Sequence, residues 1–179
     1  MINFEKAQQL LLQEKFKPTS EVIELSKATG SVLSKNVVTN FDHPFFNQSA
    51  VDGYLFHFKD KNARLKVVGE IAAGDFTAYT IKSNEALRIF TGAPVPNNGD
   101  TVVMQEFVEV FNENNEHYIQ ITDEKLKLGG NIRKQGDQLK KGDTTLKRGT
   151  VLSPSSIGFL ASIGAVSYTH LTLPTKPSV

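Results

Sequence analysis

What most constrains this chain is a run of short β-like segments, each cut off by glycine, that begins near Phe41. "LKVVGEIAAG", "AYTIKSNEALRIF", "DTVVMQEFVEVF", "HYIQIT" and "TTLKRGTVL" are all of strand length. In the fourth, Tyr118, Gln120 and Thr122 alternate with Ile119 and Ile121, the period of a strand with two unlike faces. Gly-Asp pairs at 74–75, 99–100, 136–137 and 142–143 supply turn signals between such runs. Many short strands at this spacing predict a small barrel or sandwich. Residues 42–141 are therefore expected to form one β domain.

The flanks read differently. In "NFEKAQQLLLQEKF" the apolar residues Phe4, Ala7, Leu10, Leu11 and Phe16 fall near helical spacing, with Asn3 as N-cap, so a helix burying one stripe is expected. After it come a short extended piece at Val22 to Leu25 and a second short helix around Ala28 to Leu33, with Thr29-Gly30 blurring its limits. "LSPSSIGFLASIGA" returns to helix, with Ser153 as cap and Pro154 in the first turn. The predicted fold class is α+β, mostly β: a small β-barrel-like domain (42–141) inserted into a discontinuous helical or mixed domain (1–41 and 142–166).

Composition removes several function classes. A formal charge of +1 and an isoelectric point near 7.9 provide no large field of either sign, so neither nucleic acid nor a membrane is expected as partner, while small anions stay open. With no cysteine there is no disulfide or thiolate chemistry. The start "INFEKAQQLLLQEK" lacks the basic and apolar stretches of a secretory signal, and no run nears the roughly 20 apolar residues that span a bilayer. A soluble cytoplasmic protein is the expectation. His43, His57 and His117 are scattered without metal-ligand spacing.

Three stretches carry chemistry. In "FDHPFFNQSAVDGYLF", residues 41–56, Pro44, Phe45 and Phe46 anchor a segment in which Asn47, Ser49 and Asp52 offer oxygen atoms within six residues. Such a group can meet a hard cation such as Mg²⁺, which takes one or two carboxylates plus water and substrate oxygens. Equally, Asp-Gly between β runs is a hairpin signal. "RIFTGAPVPNNGDTVVMQE", residues 88–106, places Thr91 before a stretch stiffened by Pro94 and Pro96, either a rigid mount or a plain turn. "GGNIRKQGDQL", residues 129–139, sets Arg133 and Lys134 beside Asp137, either an oxyanion receiver or a solvated charged turn.

Taken together and in order, "FFNQSAVDGY", "GEIAAGD", "RIFTGAPVPNNGDTVVMQE" and "NIRKQGDQLKKGDTTLKRGTVLSPSSIGFLASIGA" resemble the N-terminal half of the molybdopterin molybdenumtransferase family, the MoeA and gephyrin E-domain type. The resemblance covers residues 1–166. It implies insertion of molybdate into adenylylated molybdopterin, with Mg²⁺ and release of AMP, by a homodimer in which the β domain of one subunit completes the pterin site of the other. Carried over by motif, Asp52 and Thr91 would be catalytic, Asp52 also the metal ligand, and Asn47, Ser49, Arg133 and Asp137 substrate or anion contacts. An acid usually follows at the position of Gln138, so a second carboxylate is missing from that turn.

Beyond "LASIGA" the resemblance stops. The stretch "VSYTHLTLPTKPSV" continues none of the preceding pattern and is expected to be a non-native tail (167–179) on a truncated gene product. On this reading the chain is inactive alone, because the pterin-binding half is missing. The alternative is a non-catalytic module for dimerisation or partner binding.

Overall fold

The computed structural model describes residues 2–13, 19–165 and 167–172. The chain divides into two compact units, one made of residues 1–39 with 142–179 and the other of residues 40–141.

In the first unit, α1 (Phe4–Gln13) starts where Asn3 accepts the Lys6 N–H on its side-chain oxygen at 2.9 Å, the expected N-cap. The stripe it was expected to bury is not buried: Phe4, Leu10, Leu11 and Leu12 are all exposed. Phe16 lies outside the described residues. An amphipathic helix gains stability from packing its apolar face, and α1 finds no such cover among the described residues. Leu11→Ser is accordingly expected to move the thermal midpoint of the isolated chain by less than about 0.5 kcal/mol equivalent, measured by calorimetry.

β1 (Thr19–Glu24) matches the extended piece, and a 3₁₀ turn at Leu25–Lys27 follows. The helix expected at Ala28 to Leu33 is a turn running into β2 (Val32–Leu33). Gly30 takes φ +82° and donates its N–H to Leu152 O, and Leu33 donates to Thr150 O, so the backbone is paired across the unit rather than along itself. β3 (Val37–Val38) pairs antiparallel with β12 (Thr144–Leu146). α2 (Pro154–Ser162) begins as predicted, with Ser153 Oγ accepting the Ser156 N–H and proline in the first turn. Residues 167–172, set aside in the sequence reading, form β13 (Ser167–Thr172), the middle strand between β1 and β2. The reason is backbone pairing, which satisfies the facing N–H and C=O groups of both neighbours.

The second unit carries β4 (Gln48–Ser49), β5 (Gly53–Phe56), β6 (Leu65–Ile71), β7 (Glu85–Ile89), β8 (Thr101–Met104), β9 (Val108–Glu113), β10 (Glu116–Ile121) and β11 (Ile132–Arg133). Six of them form one sheet in the order β8-β5-β7-β6-β10-β9, curled into a half-barrel. β6 and β7 run parallel, joined by a non-helical crossover that includes Phe76, Tyr79 and Ile81, so "AYTIK" is loop and only Glu85–Ile89 of that stretch is strand. "DTVVMQEFVEVF" likewise divides at a 3₁₀ turn, Gln105–Phe107, into β8 and β9.

Both faces of this sheet are packed. Successive side chains on a strand point to opposite sides. Leu55, Leu87 and Val102 thus join Ile71, Ile81 and Ile89 in one core, while Phe56, Ala86 and Val103 join Leu65, Ile119 and Leu126 in the other. Burying such a side chain fully contributes roughly 2 kcal/mol. β5, between β7 and β8, therefore has no freedom to drift, and Asp52 enters it directly.

Candidate functional site

The three stretches singled out in the sequence meet at β4. On one side, Gly92 donates its N–H to Ser49 O at 2.9 Å, Ser49 to Ala93 O at 3.0 Å, and Val95 to Asn47 O at 2.8 Å. On the other, β4 pairs with β11, Ser49 opposite Ile132 and Gln48 opposite Arg133. The "NQS" segment is thus a short strand held between the "TGAPVP" loop and "NIR". Gly92, at φ +81°, turns the chain into that pairing, and Asn131, at φ +57°, accepts the Ala50 N–H and ties the far side.

Asp52 stands just before β5 and is exposed. The register sets Gly53 opposite Ile89, so the next residues of β5 and β7 outward bring Asp52 up to Phe90 and Thr91. Its Oδ1 accepts two hydrogen bonds at 2.8 Å, from the Thr91 N–H and from the Thr91 hydroxyl. Its backbone carbonyl accepts the Gln105 N–H at 3.1 Å. The Asp-Gly pair therefore does not form a two-residue hairpin: Asp52 is a fixed acceptor, and Gly53 lies inside the sheet.

These hydrogen bonds hold the Asp52 carboxyl below the usual carboxylate range, the Thr91 N–H most strongly, then the Thr91 hydroxyl, with partial desolvation opposing and the Arg88 charge helping. Because the folded value is depressed, this contribution to stability is present above the unfolded carboxylate pKa and is lost as pH falls through the folded one. Thr91→Val removes only the hydroxyl. The Asp52 pKa should move part of the way back towards its ordinary value, leaving the amide's larger share, as followed by carboxyl NMR titration.

Thr91, expected to be catalytic, gives its hydroxyl proton to Asp52 Oδ1, so the side chain has acceptor capacity left but no donor. Ser49 is buried and donates to Val51 O at 2.6 Å, which makes it a support of the β4 to β5 link with no exposed oxygen to offer. Asn47 is exposed, but its Oδ1 accepts the Gln135 N–H at 2.9 Å and so binds the two loops together. Of the three side chains at 47–52 that offer oxygen atoms, Ser49 is turned to its own backbone, Asn47 holds the Gln135 amide, and Asp52 is exposed with Oδ2 outside the Thr91 contacts.

Arg133 is exposed on β11 and lies on the opposite flank of β4 from Thr91. Asp137 accepts the Lys134 N–H at 2.7 Å and closes its own turn. Gln138 is exposed, and its N–H donates to His43 O. Asn47 and Lys134 share a cavity of about 180 Å³ with Val95, Pro96, Gly99 and Ile132. Among the described residues no group of three or more His, Cys, Asp or Glu is placed to hold a metal. One residue that pattern reading passed over is Arg88, which lies by Tyr54 and Phe90 next to Asp52; Phe90 two positions along from it is the trace it leaves in the sequence, Tyr54 facing it only across the β5–β7 register.

Comparison with known proteins places this geometry. Residues 2–164 match the family model of the MoeA N-terminal region, domains I and II. The chain is 37% identical over 150 residues to a molybdopterin molybdenumtransferase from Nostoc sp., covering 80% of this chain and 33% of that protein. It is 34% identical over 167 residues to the one from Haemophilus influenzae, covering 92% and 40%. The crystal structure of the molybdopterin biosynthesis moeA protein from Pyrococcus horikoshii OT3 superposes with a TM-score of 0.82 at 29% identity, covering 95% of this chain and 46% of that one. The chain thus spans about a third to two fifths of the length of the curated relatives it matches. With the motif segments of "NQSAVDGY", "TGAPVP" and "NIR" converging on one strand, and a family model matched over nearly all of its length, this chain belongs to the MoeA N-terminal family.

Proposed function

We propose that this chain supplies the β-domain side of a molybdenum insertase, acting on adenylylated molybdopterin and molybdate with release of AMP. The observation that carries the reading is the Asp52 carboxylate, exposed and aimed by two hydrogen bonds from Thr91. A carboxylate with a depressed pKa is a poor proton acceptor near neutral pH, so it suits holding a cation or orienting a water better than acting as base. Asp52 alone does not make a cage, but Mg²⁺ needs only one or two carboxylates when phosphate oxygens and water complete its shell. Asp52 fits that need through Oδ2, the oxygen left free by Thr91. When bound, the ion would neutralise charge on the phosphate and molybdate oxygens.

The rest of the chain's part is positional. Pro94 and Pro96 stiffen the loop that carries Thr91, so the two donors that hold Asp52 need not reorganise when substrate binds. Arg133 and Lys134 place two exposed cations beyond β4, suited to an anionic substrate. The exposed Phe4, Leu10, Leu11 and Leu12 of α1 support assembly as a homodimer, in which the rest of the site comes from the partner subunit. A cytoplasmic location belongs to the same proposal. The same apolar helix favours the second reading, a dimerisation module without turnover.

The two separate in a mixed-dimer experiment. This chain is co-expressed with a full-length relative carrying Asp→Asn at the equivalent motif, and AMP release and molybdenum incorporation are measured. Restored turnover is the expected result. Verified mixed dimers with no turnover would overturn the insertase reading and leave the module.

A further inference from the structure

Arg88 lies on β7, opposite Tyr54 of β5 on one side and Glu70 of β6 on the other. Its guanidinium carbon stands 4.9 Å from the centre of the Tyr54 ring and 5.1 Å from that of Phe90. One guanidinium nitrogen donates to the Gln105 side-chain oxygen. Gln105 in turn gives its backbone N–H to the Asp52 carbonyl at 3.1 Å. In the other direction the chain runs from Arg88 through Phe90 to Thr91, whose N–H and hydroxyl grip Asp52 Oδ1 at 2.8 Å. Asp52 is therefore held at its carbonyl and at its carboxylate, and both holds lead back to one side chain.

We infer that Arg88 is a positioning residue for Asp52, setting where that carboxylate points through Gln105 on one side and the Phe90–Thr91 segment on the other. Only a planar guanidinium can lie against aromatic rings and still donate in its own plane. A lysine keeps the charge and a donor but loses the fork. The consequence for turnover rests on the proposed function, whereas the positioning itself concerns this chain alone.

Amide hydrogen exchange on the ¹⁵N-labelled chain tests it, comparing wild type with Arg88→Met and Arg88→Lys. Val102, bonded to Gly130 O, and Lys66, bonded to Asn84 O, serve as reference amides in the same unit. In Arg88→Met the Gln105 and Thr91 amides should exchange about tenfold faster while the references keep their rates. Arg88→Lys should recover part of that protection. Unchanged rates at Gln105 and Thr91 would overturn the inference. If all four amides accelerate together, Gln105→Ala decides, since it cuts the Arg88–Gln105 link and leaves Arg88 in place: selective loss at the residue 105 amide, which is bonded to the Asp52 carbonyl, supports positioning, and no change there overturns it. This readout involves no molybdenum chemistry, so a failed mixed-dimer experiment and a failed exchange experiment point to different errors.

Discussion

Gly53→Ala is expected to unfold the six-stranded sheet, the largest stability loss of any single methyl group added to this chain. A Cβ at Gly53 would lie 1.9 Å from Val103 O and 2.9 Å from its carbonyl carbon, both backbone atoms. No rotamer change relieves a clash with backbone. β5 is bonded on both edges, Gly53 facing Ile89 on one and Met104 on the other, so it cannot step away from β8 without breaking β7. Both cores pass through β5, since Leu55 belongs to one and Phe56 to the other. A loss of more than about 3 kcal/mol is expected, read from the denaturant midpoint of the purified chain. Gly99→Ala provides the control. Its Cβ would meet Leu55 side-chain atoms at 2.5 to 2.6 Å, and a buried leucine can shift, so roughly 1–3 kcal/mol is expected there. If Gly53→Ala proved no worse than Gly99→Ala, the assigned β5 to β8 register would be wrong.

Asp52→Asn is expected to have the largest effect on function with little effect on the fold. The amide keeps the size of the carboxylate and can still accept from Thr91, and the side chain is exposed, so the denaturant midpoint should hardly move. What it loses is the negative charge. In mixed dimers with a partner disabled at its own copy of the motif, turnover should fall by about 100-fold or more relative to wild-type chain, the order seen when a group stabilising a transition state is removed. Raising Mg²⁺ should recover little of it. Equal turnover by the two chains would remove Asp52 from the chemistry.

Much of the second unit was legible in the sequence. Alternation in "HYIQIT" marked β10, and the four Gly-Asp pairs fell at or next to turns, with Gly74, Gly136 and Gly142 at positive φ. "AYTIK" and Ala28 to Leu33 misled because local propensity was overridden. The first is crossover loop that sends Ile81 into a core, and the second is backbone paired with residues 150–152. α1 was recognised as a helix from its spacing, but its exposure was not, because periodicity says which face is apolar and not whether anything covers it. In the site, Asp52 and Thr91 were legible as residue types. The backbone bonds that Ser49 and Asn47 make were not legible, since hydroxyl and amide oxygens look alike in sequence whether they face a substrate or the chain's own backbone.

By itself the sequence determined the strand-rich middle, the capped start of each helix, the glycine turns, and the motif segments that mark the family. Those depend on short-range sterics: the period of a strand, the φ allowed to glycine, the reach of a cap to the third N–H. The tertiary structure alone decided that β4 sits between "TGAPVP" and "NIR", that Thr91 spends its hydroxyl on Asp52, and that the Gln105 bound by Arg88 gives its N–H to the Asp52 carbonyl. Each joins residues from 17 to more than 80 positions apart, or depends on such a joining, and strand register, which a one-residue slip would reverse, is set by the packing of both cores together.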